Sequence, residues 1–71
     1  MIGSVRRYNL VGRWGKIVGR EDRCEYFCHV DELIDVLHLE PGQRVTFTPT
    51  WAADGLRAVA VRPIEPAPLL A

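Results

Sequence analysis

No stretch of this chain approaches the roughly 20 consecutive apolar residues that a membrane-spanning helix needs. The opening, MIGSVRRYNL, has no long apolar run either, and only two cysteines occur in the whole sequence. Together these absences predict a cytoplasmic chain with free thiols, rather than a secreted, disulfide-stapled one. No internal repeat is present, which excludes a solenoid. There is also no excess of charge: nine Lys+Arg offset nine Asp+Glu. Finally, there is little length. At 71 residues and 8.0 kDa the chain is one small domain with a thin core. A metabolic enzyme with a deep two-lobed cleft does not fit into it, whereas a binding module does. What is there is ordinary for a folded protein, with 48% hydrophobic and 25% charged residues.

The zero net charge hides an uneven distribution. Residues 1–23 hold six basic groups (Arg6, Arg7, Arg13, Lys16, Arg20, Arg23) against Glu21 and Asp22, whereas the remainder holds three basic and seven acidic groups. One positive and one negative face on the same domain would steer an anionic partner without any net charge.

Along the chain the apolar residues alternate in short runs. Residues 3–9 read as a strand with Val5 and Tyr8 as its bulky members, followed by a turn at Gly12–Arg13. Residues 14–18 form a second strand, and 19–23 suit a hairpin turn. Residues 24–30 have period two, with Cys24, Tyr26 and Cys28 on one side and Glu25, Phe27 and His29 on the other. Residues 31–39 suit one helical turn and then a loop, with Asp31 as its cap and Leu33, Ile34, Val36 and Leu37 available to face inward. Residues 43–48 give the clearest strand, Val45 and Phe47 against Arg44, Thr46 and Thr48, ended by Pro49 and Thr50. Asp54–Gly55 marks a hairpin turn. Residues 56–62 form the last strand, Ala58 and Ala60 on one face and Val59 and Val61 on the other. Five short strands in so few residues predict an all-β closed barrel, because closure removes exposed strand edges. Oligonucleotide-binding and SH3-like barrels both satisfy the pattern. Residues 1–63 form the domain, and 64–71 form a flexible proline-containing tail.

The third strand raises the functional question. An unpaired cysteine is commonly buried, so Tyr26 and Cys28 are assigned to the core and Phe27 and His29 to solvent. The opposite assignment, with Phe27 inside, is the competing reading. Beside them, an inward Ile17 leaves Trp14 and Lys16 outside, and Gly15 allows a close approach by a neighbour. Exposed aromatics interleaved with Arg and Lys suit single-stranded nucleic acid: bases stack on the rings and cations track the backbone.

Five segments, in order, resemble the bacterial cold-shock domain. Gly3-Ser4-Val5-Arg6-Arg7-Tyr8-Asn9 resembles the family's opening Gly-x-Val-Lys-Trp-Phe-Asn. Gly12-Arg13-Trp14-Gly15-Lys16-Ile17 falls on its first ribonucleoprotein motif, Lys-Gly-Phe-Gly-Phe-Ile. Glu25-Tyr26-Phe27-Cys28-His29 falls on the second, Asp-Val-Phe-Val-His. Leu39 to Phe47 and Asp54 to Val61 resemble the two closing strands. The resemblance implies a five-stranded antiparallel oligonucleotide-binding barrel (OB-fold) with a short helical turn after the third strand. It also implies stacking of bases on Trp14, Phe27 and His29, with Tyr8 beside them. Arg6, Arg7, Arg13 and Lys16 would make phosphate or base contacts. Arg7 and Lys16 stand where the family usually has stacking aromatics, Val30 where it often has one, and Gly12-Arg13 replaces Lys-Gly. Two missing stacks are worth roughly 2–6 kcal/mol, so weaker and more salt-dependent binding is expected.

The expected function is therefore sequence-tolerant binding of single-stranded RNA or DNA, serving RNA chaperoning or the regulation of transcription or translation. The alternative is a barrel repurposed for protein contact, through the face of strands one to three, Trp51 or the tail residues Leu69 and Leu70. Trp51 is equally a candidate cap for one barrel end. Neither catalysis, cofactor nor metal is expected. Residues four apart on a strand are about 13 Å apart, so Cys24 and Cys28 would share neither an ion nor a disulfide, and His29 points the other way.

Overall fold

The computed structural model describes residues 1–64. The tail expected over 64–71, with Leu69 and Leu70, lies beyond Ile64 outside the described residues. Five strands, β1 (Ile2–Asn9), β2 (Trp14–Gly19), β3 (Glu25–His29), β4 (Arg44–Ala52) and β5 (Gly55–Pro63), close into a barrel in the order β1-β2-β3-β5-β4. The pairings are antiparallel except for the closure of β3 on β5, which is parallel and pairs Phe27 with Arg57. One 3₁₀ turn, Val30–Glu32, follows β3. This is an all-β five-stranded barrel, compatible with the oligonucleotide-binding fold. No helix among the described residues is long and apolar enough to cross a membrane.

The inside is filled by the period-two residues. Ile17 from β2, Tyr26 and Cys28 from β3 and Val45 and Phe47 from β4 are buried, together with Val5, Leu39, Ala58 and Val61. The Tyr26 and Phe47 rings meet at 5.0 Å and 56°, a tilted contact that favours both ring edges and faces. The tyrosine hydroxyl at the end of this core donates a hydrogen bond to the Asp22 carboxylate. Asp22 also accepts from the Cys24 N–H at 3.0 Å, so one side chain ties the β2–β3 turn to the core.

Two bulges reset the alternation. Val5 pairs with Ile17 but Arg7 with Lys16, so β1 carries one extra residue at Arg6. On β5, Arg62 pairs with Thr46 but Val59 with Thr48. Ala60 sits at φ +53 within this second bulge, and its N–H turns to Glu32 Oε1 at 3.3 Å. A bulge shifts the residues beyond it by one. Ala58 and Val61 therefore both face inward, and the expected division into an Ala58/Ala60 face and a Val59/Val61 face does not hold.

Other expectations change for similar reasons. His29, not Asp31, caps the 3₁₀ turn, accepting from the Asp31 N–H at 3.3 Å. Leu33 and Val36 pack on the core, but Leu37 is 87% exposed, and Leu39 fills the interior instead. β4 continues through Pro49 to Ala52. β1 pairs with β4 only over Arg44–Thr46, so Pro49 lies past the end of that pairing, where a missing donor is tolerated. The β4–β5 hairpin carries Trp51 outward to 82% exposure, and it does not cap the barrel.

Two outcomes follow. The hydrogen bond holds the Asp22 carboxyl below the usual range and, with burial, pushes the Tyr26 hydroxyl up to about 12. Its contribution is full between the ordinary carboxylate and phenol values of about 4 and about 10. It is lost as pH falls through the lowered Asp22 value or rises through the raised Tyr26 value. Asp22→Asn should lower the melting temperature on the plateau and flatten both flanks of its pH profile, as read by circular dichroism. Cys24 is exposed and Cys28 buried, and burial pushes the Cys28 thiol up to about 11. A thiol reagent at mildly alkaline pH should modify Cys24 alone until denaturant is added, counted by mass spectrometry.

Candidate functional site

With Ile17, Tyr26 and Cys28 inside, the period of two sends Trp14, Lys16, Phe27 and His29 to the outer face. All four are half-buried there. Trp14 lies opposite His29, and Lys16 opposite Phe27. Trp14 and Phe27 are thus diagonal neighbours, close enough for large rings to touch. Their ring planes are 18° from parallel with centroids 5.9 Å apart.

The bulge at Arg6 places Arg7 opposite Lys16, and its guanidinium lies 5.9 Å from the Trp14 ring centroid. On the other side, the Arg57 guanidinium lies 5.5 Å from the Phe27 ring centroid. The four side chains form a row of cation, ring, ring and cation across β1, β2, β3 and β5. Both cations are within the range of cation–π attraction. Arg57 Nε is buried without a hydrogen-bond partner, while its Nη2 donates to Asp54 Oδ2 at 3.2 Å. That bond holds the Asp54 carboxyl below its usual range.

The remaining residues divide. Arg6 and Lys16 border the row, but both face Glu25: Arg6 Nε is 3.3 Å and Lys16 Nζ 4.0 Å from its carboxylate oxygens. An incoming anion therefore competes with Glu25 for these two cations. His29 Nδ1 lies 3.4 Å from Asp31 Oδ2. Tyr8 is not beside the stacked rings. The bulge gives it the inward parity, opposite Gly15. A Cβ on Gly15 would come within 2.8 Å of Tyr8 Cδ1, so the missing side chain lets the tyrosine ring lie over the strand. Tyr8 packs against the core edge and faces His38, centroids 6.4 Å apart. Desolvation raises the pKa of its hydroxyl. Arg13, at φ +60 in the β1–β2 turn, lines the same cleft at the barrel's end as Tyr8 and His38. The predicted set is thus brought together as two groups: Arg6, Arg7, Trp14, Lys16, Phe27 and His29 on the wall, and Tyr8 with Arg13 at the end.

Arg57 and Glu25 were not among the predicted contacts. Glu25 could have been found from its period-two position beside Phe27. Arg57 has no such local signal, since its place comes from a parallel pairing 30 residues away from Phe27. Among the described residues, no group of three or more His, Cys, Asp or Glu is placed to hold a metal ion. No family model and no curated protein matches the chain, so the cold-shock resemblance rests on the quoted segments.

Replacing Arg57 by alanine should release Asp54. Its carboxyl titration, followed by NMR, should move up to the ordinary range near about 3.9. An unchanged Asp54 titration would show that the pair is not formed in solution.

Proposed function

We propose that the chain binds single-stranded nucleic acid across the outer face of β1, β2 and β3, with β5 contributing its edge. The observation that carries this reading is the outward-facing Trp14–Phe27 pair, held nearly parallel between Arg7 and Arg57. Folding alone gives no reason to leave two near-parallel rings half-exposed on a barrel wall. Bases stack on such rings at about 1–3 kcal/mol each without regard to sequence. Arg7 and Arg57 add planar cations that stack on a base or grip a phosphate in a bidentate fork. Lys16 and Arg6 supply point contacts to phosphate once they exchange Glu25 for it. His29 and then the cleft of Tyr8 and Arg13 continue the path toward the barrel's end. A single strand of about four to seven nucleotides matches this length, within the range of one such barrel. The act is binding without chemistry, suited to RNA chaperoning or to control of transcription or translation in the cytoplasm.

Contact with a protein is the alternative. It is favoured by Trp51, which the nucleic-acid path does not use and which is 82% exposed on the β4–β5 hairpin.

Titration separates the two. In a Trp51→Phe background the fluorescence reports Trp14 alone. Oligothymidylate or oligouridylate should quench it saturably, with log K falling linearly against log salt at about −0.7 per phosphate contacted. Phe27→Ala should weaken binding by about 1–3 kcal/mol while leaving the barrel folded by circular dichroism. Arg57→Ala should weaken it as well. A folded protein that shows no quenching at low salt would overturn the proposal in favour of a protein partner.

A further inference from the structure

The β2–β3 turn leaves a second group of cations outside this path. Arg20 and Arg23 in the turn and Arg44 at the start of β4 line one cavity of about 380 Å³, together with Ser4 and the β-strand ends around it. Lys16, opposite Phe27, lies two to three residues before the Val18 and Gly19 that line the cavity, so at about 3.3 Å per residue the cavity begins roughly 7–10 Å along the strand from Phe27, and further from Trp14.

The backbone holds this cavity in shape. Arg20 N–H donates to Ile2 O at 2.9 Å, and Arg23 N–H to Gly19 O at 3.0 Å. Arg23 adopts φ +60. A Cβ on Gly19 would stand 2.3 Å from Asp22 Oδ1, so the turn closes tightly on itself between the two arginines. Two of the nearby acids are engaged elsewhere. Asp22 accepts from Tyr26 and Cys24, and Glu25 faces Arg6 and Lys16. Glu21 lies beside Arg20 on an adjoining cavity. Among the described residues, neither Arg20 nor Arg23 forms a side-chain ion pair.

We propose that this cavity binds a dianionic phosphate group: a terminal phosphomonoester of a strand or the polyphosphate of a free nucleotide. A monoester carries about −1.5 to −2 charge at neutral pH, against one for an internal diester, and so matches the paired charge of Arg20 and Arg23 better. Guanidinium forks pair with phosphate oxygens in bidentate geometry, and the Ser4 hydroxyl is a further donor. The site is independent of the stacking face: it stands or falls whether or not Trp14 and Phe27 bind bases.

Isothermal titration with inorganic pyrophosphate at low ionic strength tests it. Wild-type protein should bind saturably with one site. Arg20→Gln/Arg23→Gln should lose at least tenfold in affinity, Glu21→Gln should gain, and Phe27→Ala should be unchanged. Saturable binding should be absent from none of the single variants Arg20→Gln and Arg23→Gln, each weakened separately, which guards against a double variant that misfolds. Two further ligands identify the source. A 5′-phosphate that tightens a short oligothymidylate in wild type but not in the double variant points to the strand end. Adenosine diphosphate that binds as pyrophosphate does, without a 5′-phosphate effect, points to a free nucleotide. Absence of saturable pyrophosphate binding, or binding that ignores the arginine substitutions, overturns the proposal.

Discussion

The constraint on which this molecule rests is the period of two on β2 and β3. Ile17, Tyr26 and Cys28 occupy the barrel interior. Successive strand side chains must point to opposite faces, so Trp14, Lys16, Phe27 and His29 have nowhere to go but outward. Core and candidate interface are two sides of one decision. A register slip of one residue would bury the stacked rings and expose the cysteine and tyrosine. The Asp22 bond to Tyr26 bears on this choice, because it gives the one polar atom on the inward ring a partner at the barrel's rim.

The bulges adapt that regular pattern to a closed barrel. The extra residue at Arg6 turns two consecutive arginines toward the outer face and moves Tyr8 to the barrel's end. The extra residue on β5 lets both Ala58 and Val61 reach the core. In each case a displaced group finds a use: the Ala60 N–H meets Glu32, and Arg7 meets the Trp14 ring. Strict alternation on either strand would have left a gap inside or an apolar side chain outside.

Electrostatics on this chain is a matter of placement. Its net charge is zero, yet the cations fall into distinct settings. Arg7 and Arg57 lie against rings, Arg6 and Lys16 share Glu25, and Arg20 and Arg23 stand with Arg44 around a cavity. Exposed ion pairs contribute little to stability, so Glu25 and Asp54 matter chiefly as internal competitors for whatever anion approaches.

The sequence by itself determined the strand class and the two faces of β2, β3 and β4, because alternation is a property of the local backbone. Alternation groups Tyr26 with Cys28 against Phe27 with His29, and Ile17 against Trp14 and Lys16, but leaves open which set on β3 enters the core; the closed barrel puts Ile17, Tyr26, Cys28, Val45 and Phe47 inside. Only the tertiary structure decided the rest. Tyr8 left the platform, Leu39 replaced Leu37 in the core, Trp51 swung out on its hairpin, and Arg57 arrived beside Phe27. Each of these depends on which strands pair and where an extra residue is absorbed, and pairing joins positions that no local pattern connects.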